Sequence, residues 1–240
     1  MVVTHGFPGG TAVSRVLVYD WPTADGKRGG SPHLHTASTE AYVVLAGSGV
    51  LETLSGAGYG EQPLHPGTVL WFTPGTVHRL VNHGDLEILV VMQNAGLPET
   101  GDAVLTFPPK VLADPGEYAA TVTLPPTGDE EELAAAARRR RDLAIEGYLV
   151  LRDRVREEGP DALAELYQSA AALVRDRAGG WRHLWRDRPL AQAVTTGDHL
   201  EALDAGEPAH LAASAVQTAD RNPRRFGMCG RLSTWEIWPG

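Results

Sequence analysis

The chain has 240 residues, of which 42% are hydrophobic, and this is enough apolar material for one large or two modest domains. Its formal net charge of −9 argues against nucleic acid as a partner. A single cysteine, Cys229, excludes an intrachain disulfide and is the pattern of a reducing compartment. The N-terminus has neither a basic region nor an apolar core, and no stretch approaches a membrane span, so the sequence predicts a cytoplasmic protein with no membrane partner.

The chain up to about residue 95 alternates short apolar segments with glycine and proline turns. Such segments at this spacing are typical of a small sandwich or barrel. We therefore predict a β-barrel domain over residues 1–110. The segments are TAVSRVLVYDW, EAYVVLA, GVLETL, GTVLWF, HRLVN and LEILVVMQN.

Candidate metal ligands lie early in that domain, in the segment HLHTASTE at 33–40. In a strand, side chains two residues apart share a face, so His33 and His35 would project side by side. Glu40 opens the next strand, and His78 follows a Pro-Gly turn farther along. Three imidazoles and one carboxylate suit divalent iron, manganese, nickel, copper or zinc. For the histidine pair taken alone, solvated loop residues are the better interpretation.

The complete arrangement resembles the cupin superfamily, whose motifs are G-x5-H-x-H-x3–4-E-x6-G and G-x5-P-x-G-x2-H-x3-N. Two positions depart from the pattern, because Lys27 stands at the first glycine and the proline is shifted by one, to Pro74. The resemblance implies one jelly-roll barrel that binds one divalent transition metal. The matching residues are His33, His35, Glu40 and Gly47 in the first motif and Gly67, Gly75, His78 and Asn82 in the second. The implied metal ligands are His33, His35, Glu40 and His78.

Three further residues are predicted to line a substrate pocket. Tyr42 shares the face of Glu40, and Asn82 shares the face of His78 by even spacing. Trp71 and Phe72 lie on opposite faces of one strand, so one of them should point inward, and we assign Trp71 to the pocket. The alternative for these aromatic residues is ordinary core packing.

After the barrel, the sequence predicts a proline-rich connector over residues 111–127 with few helix signals. Residues 128–240 then form an α-helical C-terminal region, with a tail that could return to the β-domain as a strand. Thr127 and Glu130 stand in capping-box register at the start of a long helix that should end near Gly159. Further helices are predicted from Pro160 to about Gly179 and around 198–204 and 208–219. The fold class is thus a mainly β jelly-roll (cupin) barrel followed by an α-helical C-terminal region.

Four successive arginines at 138–141 are offset by the acidic run DEEE at 129–132. Together they are interpreted as the solvated face of one helix, and a phosphate-binding role is the less favoured alternative.

The predicted site favours a dioxygenase-type oxidoreductase, because three histidines and one glutamate resemble the ligand set of quercetin-type dioxygenases. An enol or a 2-hydroxy-carbonyl compound could chelate the metal, with Glu40 as ligand, as general base, or as both. The alternatives are a sugar or sugar-phosphate isomerase or epimerase, and a non-catalytic small-molecule binding or sensor protein. An isomerase would need cations near the barrel mouth, and we expect a homodimer in each case. The β-domain offers only Arg15, Lys27, Arg28 and Arg79 as such cations.

Overall fold

The computed structural model describes residues 6–238 and shows one large antiparallel sheet followed by helices. The sheet has nine strands, and its main path runs β4-β3-β6-β1-β9-β8, while β2 pairs with β6 and β7, and β5 pairs with β3. The path ends at β4 and β8, so strand pairing does not close the sheet into a barrel. The strands are β1 Ala12–Val18, β2 His33–His35, β3 Glu40–Ser55, β4 Gly58–Leu64, β5 Val69–Phe72, β6 Val77–Met92, β7 Ala103–Leu105, β8 Arg225–Phe226 and β9 Gly230–Thr234.

Strands β3 and β6 form the spine of the sheet, because they pair from Glu40↔Met92 to Leu54↔Val77. Their register shifts three times between Val44 and Gly49, and such bulges bend and twist a sheet. Gly47 lies at this bend with φ 72°, and a Cβ there would stand 2.2 Å from the Asp85 backbone. Glycine is thus required by both the backbone angle and the close approach.

The concave side of the bent sheet contains an apolar core contributed by alternate residues of its strands. This side also presents the predicted metal ligands. The buried residues of this core are Ala12, Val16, Val18, Tyr42, Val44, Leu51, Leu64, Leu80, Leu86, Ile88, Val90, Met92 and Ala95.

The helices begin earlier than the sequence predicted. Two short helices lie within or beside the predicted connector, so the expectation of few helix signals there was wrong. Pro109 and Pro115 each occupy the first helical position, where proline loses no hydrogen bond, and Asp114 caps the second helix. The helices are α1 Pro109–Leu112, α2 Pro115–Val122, α3 Glu130–Glu158, α4 Ala164–Val174, α5 Ala178–Trp185 and α6 Ala191–Asp204.

The long helix α3 starts at a capping box two residues later than predicted. The Asp129 side chain accepts from the N–H groups of Glu131 and Glu132, and Glu132 accepts from the Asp129 N–H. Helix α3 ends at Gly159, which has φ 88°, as the sequence indicated. The predicted helix over 208–219 is reduced to a 3₁₀ turn at Ala209–Ala213.

The helices share one core with the convex side of the sheet. Leu34, Leu54 and Val77 from the strands pack in the same buried cluster as Tyr148, Leu163 and other helical residues. The chain then returns to the sheet, because β9 pairs with β1 from Ser14↔Thr234 to Val18↔Gly230. The division of the chain at residues 110 and 128 therefore remains a prediction, because one buried cluster contains residues from both sides of it.

A largely buried ionic network lies between the sheet and α3, with Arg79 and Glu52 fully buried and Lys27 partly exposed. Arg79 Nη1 lies 2.7 Å from Asp25 Oδ2 and 3.2 Å from Glu52 Oε2. Lys27 forms an ion pair with Glu52, and Tyr148 donates to Glu52 Oε2 at 3.2 Å. Burial raises the pKa of the Asp25 carboxyl, but its hydrogen bonds with Arg79 and Thr23 hold that pKa well below its usual value.

The arginine run at 138–141 is only partly a solvated face, because Arg138 and Arg139 are exposed whereas Arg140 and Arg141 are buried. Arg140 donates to the carbonyl oxygens of Val122 and Gly227, and Arg141 donates to those of Trp21, Pro22 and Gly29. Successive helical residues are about 100° apart around the axis, so four in a row cannot all face solvent. These two arginines connect α3 by hydrogen bonds to an early loop, at Trp21, and to a late loop, at Gly227.

The sheet also presents an outer apolar face. Trp71 is 70% exposed and Val69 is 60% exposed. Strand register places their neighbours on the same face, because Trp71 pairs with Ala41, and Ala41 with Val91. The Arg15–Glu87 ion pair also lies on this face. The apolar residues of the face are Val13, Leu17, Val43, Leu45, Val69, Trp71, Leu89 and Val91. Within residues 6–238, no helix is long and apolar enough to cross a membrane.

Candidate metal centre

The four predicted metal ligands come together in a buried cluster. Strand alternation places His33 and His35 on the concave side while Leu34 enters the helical core, and register sets His33 opposite His78. Glu40 Oε2 lies 3.1 Å from both His35 Nε2 and His78 Nε2, and His33 Nε2 lies 3.1 Å from His78 Nε2. One ligand atom from each residue lies within 4.8 Å of all the others, and all four residues are buried.

The other ring nitrogen of each histidine meets an oxygen. His33 Nδ1 lies 3.0 Å from the Ser31 carbonyl oxygen, and His78 Nδ1 lies 3.1 Å from that of Thr76. His35 Nδ1 lies 3.4 Å from Asp102 Oδ2. Oxygens at Nδ1 orient an imidazole so that Nε2 presents its lone pair to a metal, which is the usual support of histidine ligands.

Asp102 is a positioning residue that sequence reasoning missed. It is fully buried and accepts hydrogen bonds from the backbone N–H groups of Thr36, Ala37 and Ser38. It thereby fixes the segment between β2 and β3, which joins His35 to Glu40. No local pattern marks Asp102 in the sequence, because its partners lie more than sixty residues earlier in the chain.

The cluster is electrostatically coupled. Burial lowers the pKa of His33, and the neighbouring His78 and His35 lower it further. Burial also lowers the pKa of His35, but the carboxylates of Glu40 and Asp102 outweigh it and raise the value to about 9. Burial raises the pKa of Glu40, whereas the charges of His78 and His35 hold it well below its usual range. The carboxylate is therefore ionised and is stabilised by positive charge beside it.

These residues fit a divalent metal. Glu40 Oε2 is buried and equidistant from two imidazole nitrogens, which donate to it only when they carry a proton. A divalent cation at the centre of the cluster would replace those protons as the positive charge that a buried carboxylate needs. Imidazole nitrogen and carboxylate oxygen are the donors preferred by first-row transition metals.

The cluster opens into a cavity of about 380 Å³. Tyr42 lines it, as predicted, and burial together with the Glu40 charge raises the pKa of its phenol. Leu80, Ile88 and Val90 supply apolar walls. The remaining walls come from α3 and from the C-terminal hairpin, which the sequence did not indicate.

Two residues assigned to the pocket lie elsewhere. Trp71 points to solvent, and its neighbour Phe72 faces the cluster instead, with its ring centroid 4.4 Å from that of His78. Phe72 takes this place because it lies directly opposite Glu40 in the pairing of β5 with β3, and residues paired in this way project from the same face of the sheet. Asn82 is buried, but its amide donates to the Val18 carbonyl and accepts from the N–H groups of Gly84 and Leu86. Asn82 lies at the end of the regular pairing with β3, beyond the cavity wall, so its amide stabilises the hairpin instead of lining the pocket.

Cys229 also lines the cavity, with its Sγ 4.0 Å from His33 Nδ1. Burial raises the pKa of the thiol, and the charge of Glu40 raises it further. The thiol is therefore neutral, which agrees with a structural role for Cys229.

Comparison with known proteins supports the family suggested by the motifs. Residues 23–92 match the Cupin domain family, and this range contains all four clustered residues. No curated protein matches the sequence.

Solved structures resemble less than half of this chain. Pac13 of Streptomyces, a nucleoside dehydratase, is 20% identical over 41% of this chain and 69% of its own, with a TM-score of 0.31. The TDP-fucose-3,4-ketoisomerase of Campylobacter jejuni is 15% identical over 38% of this chain and 64% of its own, with a TM-score of 0.31. A cupin protein of Bacteroides fragilis is 18% identical over 36% of this chain and 65% of its own, with a TM-score of 0.26.

The cupin domain is therefore identified by the family match and by the two motifs. Both motifs lie within the matched range, and they place four buried metal-binding side chains around one point. Residues 23–92 are thus the part of this chain that matches the Cupin domain family.

Proposed function

We propose that this chain is a metal-dependent enzyme that oxidises a small oxygen-chelating molecule in a dioxygenase-type reaction. The observation that carries the proposal is the cluster of three imidazoles and one buried carboxylate at the wall of a largely apolar cavity. A metal there would supply Lewis acidity and open positions for an enol or a 2-hydroxy-carbonyl group. We expect iron, manganese, nickel, copper or zinc.

The residues of the chain have distinct tasks in this proposal. His33, His35, His78 and Glu40 hold the metal. Glu40 Oε2 accepts the proton of the substrate hydroxyl, because an ionised carboxylate beside the chelating oxygens is placed to act as general base. The Tyr42 phenol stays protonated and can donate a hydrogen bond into the cavity. The apolar walls exclude water from the reacting atoms.

The test is elemental analysis of the purified protein, followed by a substrate screen of each metal form under air and under nitrogen. Oxygen uptake with a candidate enol supports the proposal. Formation of an isomer without oxygen supports an isomerase. Tight binding with no turnover by any metal form supports a sensor.

A sugar or sugar-phosphate isomerase is the second candidate, and cations at the cavity favour it. Three of the β-domain cations are engaged away from the cluster, since Arg15 pairs with Glu87, Lys27 with Glu52 and Arg79 with Asp25. Arg140 and Arg225 line the cavity instead. At the cavity, positive side chains therefore come from the helical region and the C-terminal hairpin and not from the β-domain.

Substitution of Glu40 by glutamine separates its two proposed roles. An amide oxygen is a poorer donor than a carboxylate, so loss of metal from Glu40→Gln indicates a ligand. If Glu40 acts chiefly as the base, the metal stays and turnover falls by about 10²–10⁴-fold. We expect both effects, measured as metal content and as turnover on the same preparation. Wild-type values for both would exclude each role.

We also propose a homodimer formed through the outer apolar face. Monomers seldom expose apolar patches of more than a few hundred Å², and one face of eight apolar side chains can pack on its own copy about a two-fold axis. We expect Trp71→Glu to weaken self-association by roughly 30-fold or more, because it places a charge in the apolar contact. Sedimentation equilibrium measures this, with Trp185→Glu as the control for an exposed tryptophan. A monomeric wild-type protein at micromolar concentration would contradict the proposal.

A further inference from the structure

A second cavity, of about 640 Å³, adjoins the cavity of the metal cluster. Six residues line both cavities, so the two chambers share a boundary. Tryptophans 235 and 238 line only the outer chamber, and the metal cluster lines only the inner one. The shared residues are Ser14, Met92, Pro98, Glu99, Arg225 and Leu232.

Arg225 is the cation at that boundary. It lies on β8 opposite Leu232 of β9, and its side chain is exposed. Among the ion pairs within residues 6–238, none includes Arg225. Its guanidinium group is therefore available for a ligand.

Three of the other charged groups around the chambers already have partners, and a fourth, Glu236, lines the outer chamber and is exposed. Both terminal nitrogens of Arg140 donate to carbonyl oxygens, and the Arg188 guanidinium lies over the Trp238 ring, 5.5 Å from its centroid. Glu99 is the carboxylate at the boundary, and its Oε2 accepts from the Gly96 N–H at 2.7 Å. Three arginines and a divalent metal on the cluster would together outweigh the carboxylates of Glu99, Glu236 and Glu40 in charge, so the boundary favours an anion.

We propose that Arg225 binds an anionic group, a carboxylate or a phosphate, at the end of the substrate farthest from the metal. The substrate would then be an elongated acid whose chelating oxygens reach the cluster while its acidic end stops at Arg225. This inference rests on the proposed function, because it takes the metal as the binding point of the other end. Arg225 acts in specificity and not in the reaction, since it touches only the distal group.

The test compares keto acids of equal chain length on nickel-loaded protein by titration calorimetry. α-Ketoglutarate and α-ketoadipate carry a distal carboxylate, whereas α-ketovalerate and α-ketocaproate do not. Wild-type protein should bind each diacid roughly 10–100-fold more tightly than its matched monoacid, as expected for a charge-assisted contact. In Arg225→Gln this ratio should fall close to one, with the affinity for the monoacids unchanged.

Arg224→Gln is the matched control, because Arg224 is the exposed neighbour and lines neither chamber. It should retain the wild-type ratio. The proposal is overturned if wild-type protein does not prefer the diacids, if Arg225→Gln keeps the preference, or if no keto acid binds the nickel-loaded protein. A protein that takes up no nickel would instead contradict the proposed metal centre, and metal content distinguishes the two failures.

Discussion

The His35→Ala, His78→Ala double variant is expected to lose its bound divalent metal. Both Nε2 atoms lie 3.1 Å from the same oxygen of Glu40, so the substitution removes two of four donors around one point. Each donor supplies a direct bond, and even the groups that merely orient a ligand contribute about 10–100-fold in affinity. We therefore expect a loss of several orders of magnitude, measured as metal content after dialysis against a weak chelator.

His65→Ala, His83→Ala is the matched control, because both histidines are exposed and lie outside the cluster. It removes the same number of imidazoles and should leave the metal in place at near 1:1 stoichiometry. Circular dichroism of each variant checks that the fold is retained. Full metal content in the His35→Ala, His78→Ala double variant would contradict the proposed metal centre.

The Arg79→Met variant is expected to lose about 3–5 kcal/mol in free energy of unfolding. Arg79 is fully buried, and its guanidinium group meets the carboxylates of Asp25 and Glu52, of which Glu52 is also fully buried. Methionine fills much of the same volume, but it leaves Glu52 with only Lys27 as a cation and removes the Arg79 ion pair of Asp25. Urea unfolding at neutral pH measures the change.

Two comparison variants give this prediction its control. Arg154→Met removes exposed ion pairs with Glu158 and Glu165, and it should leave stability unchanged within error. Adding Glu52→Gln to Arg79→Met should recover part of the loss, because it removes one of the carboxylates left without its partner. Equal destabilisation by Arg79→Met and Arg154→Met would show that burial of the network contributes nothing.

The metal ligands could be predicted from the sequence because their placement depends on short-range rules. Alternation along a strand puts His33 and His35 on one face whatever surrounds them. A tight turn sets His78 at the start of β6 in the same local way. The chain then needs only one long-range pairing, β2 with β6, to assemble the cluster.

The choice between Trp71 and Phe72 could not be made by the same rule. Alternation shows that they face opposite sides but does not say which side is concave. The register of β5 against β3 decides it, and register depends on residues that are distant in sequence. Asn82 was misplaced for a different reason, because even spacing from His78 gives the face of the strand but not the distance from the cavity, and the Asn82 amide binds backbone groups of Val18, Gly84 and Leu86 instead.

The supporting residues could not be predicted at all. Asp102 and Arg140 carry no local motif, and each acts through groups far away in the sequence. The arginine run shows why. Its charge predicted that all four side chains face solvent, but the guanidinium groups of Arg140 and Arg141 donate to carbonyl oxygens in the interior. Buried arginines with many partners look like surface arginines until the fold is known.

The order of the cavity walls along the chain bears on how a metal would reach the cluster during synthesis. All four clustered side chains lie at or before residue 78, whereas the hairpin of β8 and β9 that lines the cavity begins at Arg225. At typical ribosomal speeds the second segment follows the first by on the order of ten seconds. A metal that bound in this interval would meet the imidazoles before the hairpin is in place, and its identity would follow availability in the cell as much as affinity.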